Sequence, residues 1–325
     1  MTTDIDGTVR VEHLSKSFGA VRAVDDLTFE IGPGRVTGFL GPNGAGKTTT
    51  LRMLLGLVEP TSGSATIGGR RYAHLSHPGR VVGAALEASS FHPGRTARDH
   101  LRVLAPQVGV PTARCDEVLE LVGLSDAANR RAGGFSLGMR QRLGLAATLL
   151  GDPKVLLLDE PANGLDPQGI AWLRALLRHL AGEGRTVLVS SHVLSEVQQT
   201  VDDVVIIAKG RLVHASPIGG LAALTTRQVL VASPDAAALE RLVAGRFAAQ
   251  STPAGAPGAF LVRDVDAAAV GAAAFAERVE LHQLATRDVG LEQVFLQLTG
   301  GELADGAPPG AAPDSTVPTT PGGAA

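Results

Sequence analysis

The strongest structural signal in this sequence is GPNGAGKTTTLRMLLGL, the stretch from Gly41 to Leu57. It contains the pattern G-x-x-x-x-G-K-[ST], in which glycines let the backbone curl so that successive N–H groups converge on phosphate oxygens. The start of the following helix adds the positive end of its dipole. We expect Lys47 to reach the β- and γ-phosphates of a nucleotide and the Thr48 hydroxyl to ligate Mg²⁺. The loop residues predicted to bind the nucleotide are Gly41, Pro42, Asn43, Gly44, Ala45, Gly46, Lys47, Thr48 and Thr49.

The segments on either side of this loop have the character that the motif requires. The stretch RVTGFL, from Arg35 to Leu40, predicts a buried strand that enters the loop. Residues 47–58 place leucines and a valine on one side of a predicted helix. Further strands and helices alternate along the chain, which favours an α/β core. Residues 96–150 are predicted to be mostly helical. The pair Lys209-Gly210 lies between two strand-like runs, which predicts a hairpin.

A second strand signal is VLLLDEP, from Val155 to Pro161. An apolar strand that ends in Asp159 and Glu160 puts two carboxylates at its carboxyl end, where open α/β sheets bind their ligands. We expect Asp159 to hold Mg²⁺ and Glu160 to polarise an attacking water as a general base.

His192 follows another predicted strand, TVLVSS. A histidine in this place is often structural. The alternative is that a ring nitrogen contacts the γ-phosphate or positions the water, because the strand ends on the side that holds the other site residues. His192 is therefore a catalytic candidate, with both interpretations open.

Composition excludes several classes of protein. The net charge of −3 and the pI of about 6.3 provide no overall basic field to attract nucleic acid or anionic lipid. A single cysteine, Cys115, can form no disulfide within the chain. The N-terminus lacks the apolar core of a secretory signal, and no window approaches the roughly 18 apolar residues of a membrane helix. We expect a cytoplasmic protein whose membrane-spanning partner, if its function needs one, is another chain.

The stretch GGFSLGMRQR, from Gly133 to Arg142, lies between the phosphate loop and the acid pair. It resembles the signature motif of ABC-type ATPases, LSGGQ, in the variant form seen in many drug- and antibiotic-exporter ATPases. Three of the five positions differ from that pattern, but Ser136 and Gly138 remain. A serine hydroxyl and backbone N–H groups at a helix start form an anion site. The resemblance implies that these two residues contact the γ-phosphate of ATP.

The same resemblance implies a head-to-tail homodimer, with each ATP between the phosphate loop of one copy and the signature of the other. The stretch NGLDPQG, from Asn163 to Gly169, resembles the D-loop of the family, so Asp166 is expected to contact the opposite site. Phe18, in KSFGA, matches the aromatic position that stacks on adenine. A phenylalanine of the hydrophobic core is the alternative for that position.

One position departs from the family pattern. The glutamine of the coupling loop would fall near VVGAALEASSFHPG, where no glutamine occurs and Glu87 takes its place. A subset of bacitracin- and lantibiotic-type exporter ATPases is similar in this respect. A carboxylate binds Mg²⁺ and its waters more strongly than a carboxamide, but it can only accept hydrogen bonds. We expect Glu87 to be a further Mg²⁺ contact, and a surface glutamate is the alternative.

Three segments are predicted: an ATPase domain over residues 9–218, a small α+β accessory domain over 226–298, and a disordered tail over 300–325, rich in Gly, Ala, Pro and Thr. The resemblance implies a P-loop NTPase fold for the first, with a RecA-like core, an antiparallel β subdomain and a helical ABC subdomain.

The function implied is that of an ATP-binding, ATP-hydrolysing subunit of an ABC exporter. It would energise a separate membrane permease for drugs or antibiotic-like molecules, at the inner face of the membrane. The alternative is a non-transport ABC ATPase acting on nucleic acid or ribosomes. The short gap between Lys47 and Phe135, the single cassette and the charge balance all disfavour it. A P-loop kinase or switch would leave FSLGMRQR unexplained.

Overall fold

The computed structural model describes residues 6–86, 91–222, 227–256, 258–288 and 291–300. Within these ranges the chain forms two compact units. One comprises the residues up to 227 together with 288–300, and the other comprises 228–287. Glu87 and the predicted tail beyond Gly300 lie outside the described residues.

The secondary structure alternates strands and helices through most of the chain. The strands are β1 (Val9–Phe18), β2 (Val21–Ile31), β3 (Arg35–Leu40), β4 (Ser62–Ile67), β5 (Val82–Ala85), β6 (Val155–Asp159), β7 (Thr186–Ser191), β8 (Asp203–Ala208), β9 (Arg211–Pro217), β10 (Arg227–Ala232), β11 (Ser251–Pro253), β12 (Ala259–Arg263) and β13 (Gln283–Asp288). The helices are α1 (Lys47–Leu54), α2 (Pro78–Val81), α3 (Ala97–Val108), α4 (Ala113–Leu121), α5 (Leu137–Leu149), α6 (Pro167–Gly182), α7 (Leu194–Val197), α8 (Ile218–Ala222), α9 (Ala236–Arg246), α10 (Ala267–Ala276) and α11 (Leu291–Thr299).

A six-stranded sheet forms the centre of the first unit, in the order β5-β6-β7-β3-β8-β9. Its first five strands are parallel, and β9 returns antiparallel to β8 as the predicted hairpin. The strands β6 and β7 are buried along nearly their whole length, as expected of parallel strands that are covered on both faces. Because β6, β7 and β3 are neighbours, their carboxyl ends meet at one edge of the sheet. That edge collects the acid pair, His192 and the phosphate loop.

Two further layers complete this unit. An antiparallel sheet in the order β2-β1-β4 shares a hydrophobic core with α1. The helices α3, α4 and α5 pack on one another, and α5 packs against β5. The helical region predicted for residues 96–150 is thus present. Its first helix begins where the Thr96 hydroxyl accepts from the N–H of Asp99 at 3.1 Å, and it ends at Gly109 with φ of +68°.

The second unit is a four-stranded sheet in the order β11-β12-β10-β13 with α9 and α10. Its core includes Val229, Leu239 and Val262. The α+β character predicted for this region is present, since the strand-like stretches RQVLVAS and AFLVR correspond to β10 and β12 and the alanine-rich AAALERLVAG corresponds to α9.

The helix α11 lies with the first unit, whereas residues up to 298 were predicted to belong to the accessory domain. An amphipathic pattern shows which face of a helix is buried, but it does not show which surface covers that face. Within the described ranges, no helix combines the length and the apolar character needed to cross a bilayer.

Candidate nucleotide-binding and catalytic site

The loop between β3 and α1 is shaped by two glycines. Gly46 has φ of +104°, and a Cβ there would lie 2.5 Å from the carbonyl oxygen of Ala23. A Cβ at Gly41 would collide with the carbonyl oxygen of Ile207. Both positions leave room only for the hydrogen of a glycine. The chain therefore turns tightly into α1, whose first N–H groups lack partners within the helix and are available to an anion.

Lys47 is drawn into this loop. Its ammonium donates to the carbonyl oxygen of Gly41 at 2.7 Å and lies 3.4 Å from that of Pro42. It is also 3.5 Å from a carboxylate oxygen of Glu160, and the side chain is only 6% exposed. Because the Lys47 ammonium already lies in the loop, it can contact a phosphate bound there without rearrangement of distant parts of the chain.

Asp159, at the end of β6, is joined to both α1 and β7. The Thr48 hydroxyl donates to Asp159 Oδ2 at 2.7 Å. The Ser190 hydroxyl donates to the other carboxylate oxygen and accepts from the backbone N–H of Glu160 at 2.9 Å. Ser190 lies directly beside Asp159 in the parallel pair of β6 and β7. Ser190 was not predicted as a site residue from the sequence, although a polar residue near the end of the apolar run TVLVSS was an available signal.

Glu160 lies between a cation and a ring nitrogen. One carboxylate oxygen is 3.5 Å from the Lys47 ammonium, and the other is 2.9 Å from His192 Nδ1. The Glu160 backbone is left-handed, with φ of +49°, a conformation that costs a non-glycine residue about 1–2 kcal/mol. The hydrogen bond to Ser190 holds it there. The result is a partly buried carboxylate at the phosphate loop, an arrangement suited to take a proton from water.

A cleft of about 410 Å³ borders these groups. Its lining comprises Phe18, Ala23, Asn43, Gly44, Ala45, Gly46, Lys47, Thr48, Thr49 and Glu160. Phe18 is 51% exposed, with the Lys16 ammonium 5.0 Å from its ring centre. Phe18 is therefore not a core residue, and its contact with adenine stays a prediction. The volume suits a small-molecule ligand.

The signature residues lie at the start of α5. Ser136 caps the helix by accepting from the N–H of Met139 at 3.3 Å. A Cβ at Gly138 would meet the side chain of Leu165 at an ordinary 3.6 Å. Neither signature residue is among the described residues that line the cleft. One copy of the chain therefore does not bring its signature into the same cleft as its phosphate loop.

The predicted D-loop is attached to the signature helix. The Gln141 side chain donates to the carbonyl oxygen of Asn163 at 3.2 Å, and a Cβ at Gly164 would collide with the Leu137 side chain. Asp166 then begins α6 as its N-cap. This attachment was not predicted from the sequence, and any contact of Asp166 with an opposite site stays a prediction. The same holds for Glu87, which lies outside the described residues.

Comparison with known proteins agrees with this geometry. A family model described as ABC transporter matches residues 24–163. The chain is 45% identical over 216 residues to the bacitracin transport ATP-binding protein BcrA of Bacillus licheniformis, covering 66% of this chain and 71% of that protein. The chain belongs to the ATP-binding proteins of ABC transporters. As an ABC ATPase it is an enzyme that binds and hydrolyses ATP.

Two further comparisons extend the likeness of this ABC ATPase. It is 34% identical over 307 residues to the Nod factor export ATP-binding protein I of Paraburkholderia xenovorans, covering 92% of this chain and 99% of that protein. A solved structure described as the ATP binding subunit of an ABC transporter has a TM-score of 0.60 and 29% identity, covering 66% of this chain and 91% of that one. The predicted P-loop NTPase fold is confirmed. A second family model, described as a domain of unknown function, matches residues 227–292.

Ser190 supports a prediction specific to this ABC ATPase. Ser190→Ala should lower kcat for ATP about tenfold, because it removes a hydrogen bond to the Asp159 carboxylate and one from the Glu160 backbone. Steady-state ATPase assays of the purified full chain would measure this. Ser195→Ala, an exposed serine on α7, is the matched control and should keep the parent rate. Parent-like kcat in Ser190→Ala would mean that the hydroxyl does not support the acid pair.

Proposed function

We propose that this ABC ATPase drives the export of drugs or antibiotic-like molecules through a separate membrane permease. The observation that carries the proposal is the Glu160 carboxylate, held between Lys47 and His192 beside the phosphate cleft. That placement supplies a base for hydrolysis, and hydrolysis is what resets a transport cycle. The cargo class rests on likeness to proteins named for bacitracin transport and Nod factor export.

The proposed reaction assigns each group a task. Lys47 neutralises the β- and γ-phosphates seated in the loop. Glu160 accepts a proton from the attacking water, whose oxygen bonds to the γ-phosphorus as the bond to the bridging oxygen breaks, giving ADP and phosphate. His192 keeps the Glu160 carboxylate oriented through its hydrogen bond.

Thr48 and Asp159 fit a Mg²⁺ site. Their hydroxyl and carboxylate oxygens are 2.7 Å apart, and Mg²⁺ favours one or two hard oxygen ligands from the protein together with phosphates and waters. When bound, Mg²⁺ would neutralise charge on the β- and γ-phosphates. We propose Glu87 as a further contact.

A second copy of the chain completes the proposed site. Ser136 begins α5, where a hydroxyl and free N–H groups favour an anion, yet it does not line the cleft of its own copy. A head-to-tail homodimer would place Ser136 and Gly138 on the γ-phosphate held by the partner copy. Asp166 would move with them, because the D-loop is attached to α5 through Gln141.

An apolar groove provides the surface that we assign to the permease. It has a volume of about 620 Å³ between β5, α3 and α5, and its lining includes Leu86 and Phe91, which flank the Glu87 loop in sequence. His100 also lines it. Burial, and then the charge of Arg95, lower the pKa of His100, so its ring is neutral near pH 7. Among the described residues Nδ1 of His100 is buried and has no hydrogen-bond partner. The ATPase would thereby sit at the inner face of the membrane.

Capture from membranes tests this function. Tagged full-length chain, added with ATP to detergent-solubilised membranes of its native host, should recover one integral protein with about six predicted spans. Lys47→Ala is the control for ATP-dependent recovery. Ribosomal or DNA-associated proteins without any membrane protein would overturn the transport proposal in favour of a non-transport ABC ATPase, and would leave the ATP site intact.

A further inference from the structure

The last described helix, α11, has one strongly apolar face. Leu291, Val294, Phe295 and Leu298 follow the i, i+3, i+4, i+7 spacing of a single helix face. Val294 and Phe295 are 5% and 6% exposed, whereas Leu296 on another face is 37% exposed. Burial of this kind needs a matching surface elsewhere in the chain.

The surface that α11 covers includes α7, the helix that follows His192. The helix packs against α7, α8, β8 and β9. Its buried residues belong to the same hydrophobic cluster as Leu194 and Val197 of α7 and Leu221 of α8. The contact with α7 matters most, because α7 begins two residues after His192.

The connection from α7 to the catalytic histidine is short and closed. The Ser191 hydroxyl accepts from the N–H of Val193 and donates to the carbonyl oxygen of Val193, both at 3.0 Å. This tight turn leaves the connection between β7 and α7 little conformational freedom. A shift of α7 would therefore move His192, whose Nδ1 is 2.9 Å from Glu160.

The packing of α7 is incomplete on the side of Glu160. A cavity of about 20 Å³, room for about one water molecule, is lined by Glu160, Ser190, Ser191 and Val197 among others. A short helix that borders a cavity on one side depends on its other contacts to keep its place. The contact with α11 is one of these.

We propose that Phe295 is a positioning residue for ATP hydrolysis, holding α7 and through it His192 within hydrogen-bond reach of Glu160. The inference rests on the proposed hydrolytic role of this site.

Steady-state ATPase assays of full-length variants test the proposal. Phe295→Ala should lower kcat about tenfold, as expected when a catalytic group loses its alignment, with KM for ATP unchanged. Phe295→Leu keeps most of the apolar volume and should restore the rate even if Phe295→Ala folds poorly. One control should keep the parent kcat, which is Leu296→Ala on the exposed side of the same helix.

A double-mutant cycle with His192→Ala identifies the route. If Phe295 acts through His192, adding Phe295→Ala to His192→Ala should cause no further loss of kcat. Independent, multiplying losses would overturn the proposal, as would an equal loss of kcat in Leu296→Ala. A parent chain that binds but never hydrolyses ATP would instead remove the proposed function, so the two failures are distinguishable.

Discussion

Glu160→Gln is expected to stop ATP hydrolysis while leaving ATP binding intact. The amide keeps the shape of the carboxylate, and its oxygen can still accept a hydrogen bond from His192 Nδ1, which lies 2.9 Å from the carboxylate in the parent chain. The amide cannot take a proton from water. Loss of a general base typically lowers the rate of the chemical step about 10²- to 10⁴-fold. The substitution also removes a negative charge 3.5 Å from the Lys47 ammonium, which favours retention of the triphosphate. The variant should therefore accumulate as an ATP-bound head-to-tail dimer.

Single-turnover phosphate release would measure the chemical step, and size-exclusion chromatography with light scattering would measure the dimer. The matched control is Glu120→Gln, an exposed glutamate on α4, which should hydrolyse ATP at the parent rate and form no stable dimer. Hydrolysis by Glu160→Gln at the parent rate would remove Glu160 from the role of base. An inactive variant that stays monomeric with ATP would keep the base and remove the closed dimer.

Lys47→Ala should differ from Glu160→Gln in that it weakens ATP binding itself. The Lys47 side chain is only 6% exposed within the loop, and its ammonium is the charge closest to the bound phosphates in the proposed reaction. Hydrogen bonds to charged groups contribute about 1.5–3 kcal/mol, which corresponds to roughly a tenfold to hundredfold rise in Kd for ATP. Isothermal titration with Mg²⁺ and ATP, with thermal unfolding as a check on folding, would measure it.

Lys154→Ala is the matched control for this variant. Lys154 is exposed and directly precedes β6, at the opposite end of that strand from Asp159, so its removal should leave ATP affinity unchanged. An unaltered Kd in Lys47→Ala would show that the loop backbone alone holds the phosphates. Equal losses in both variants would point to a general effect of net charge.

Local patterns accounted for most of the fold. The phosphate loop, the strand that ends in Asp159 and Glu160, the helical region and the β8–β9 hairpin each carry their signal within a short stretch of chain. Glycine is required at positions 41 and 46 by close backbone approaches, and periodic apolar residues mark the helices. Signals of this kind can be read from the sequence without knowing which distant residues each segment contacts.

The structure added contacts between segments that are far apart in sequence. Ser190 became a site residue because the register of β6 and β7 puts it beside Asp159. The exposure of Phe18 and the attachment of the D-loop to α5 also depend on how segments that are far apart in sequence pack together. The accessory region shows the same limit, since its predicted bound of residue 298 included α11, which lies with the first unit.

By itself, the sequence determined which chemical groups are present and which strand or helix each one follows, because backbone turns and apolar periodicity depend on neighbouring residues. Only the tertiary structure decided which of those groups meet. The hydrogen bond from His192 to Glu160, the role of Ser190 and the packing of Phe295 behind α7 all depend on strand register and helix packing. Those are set by the burial of apolar surface across the whole unit, a property that no short stretch of sequence contains.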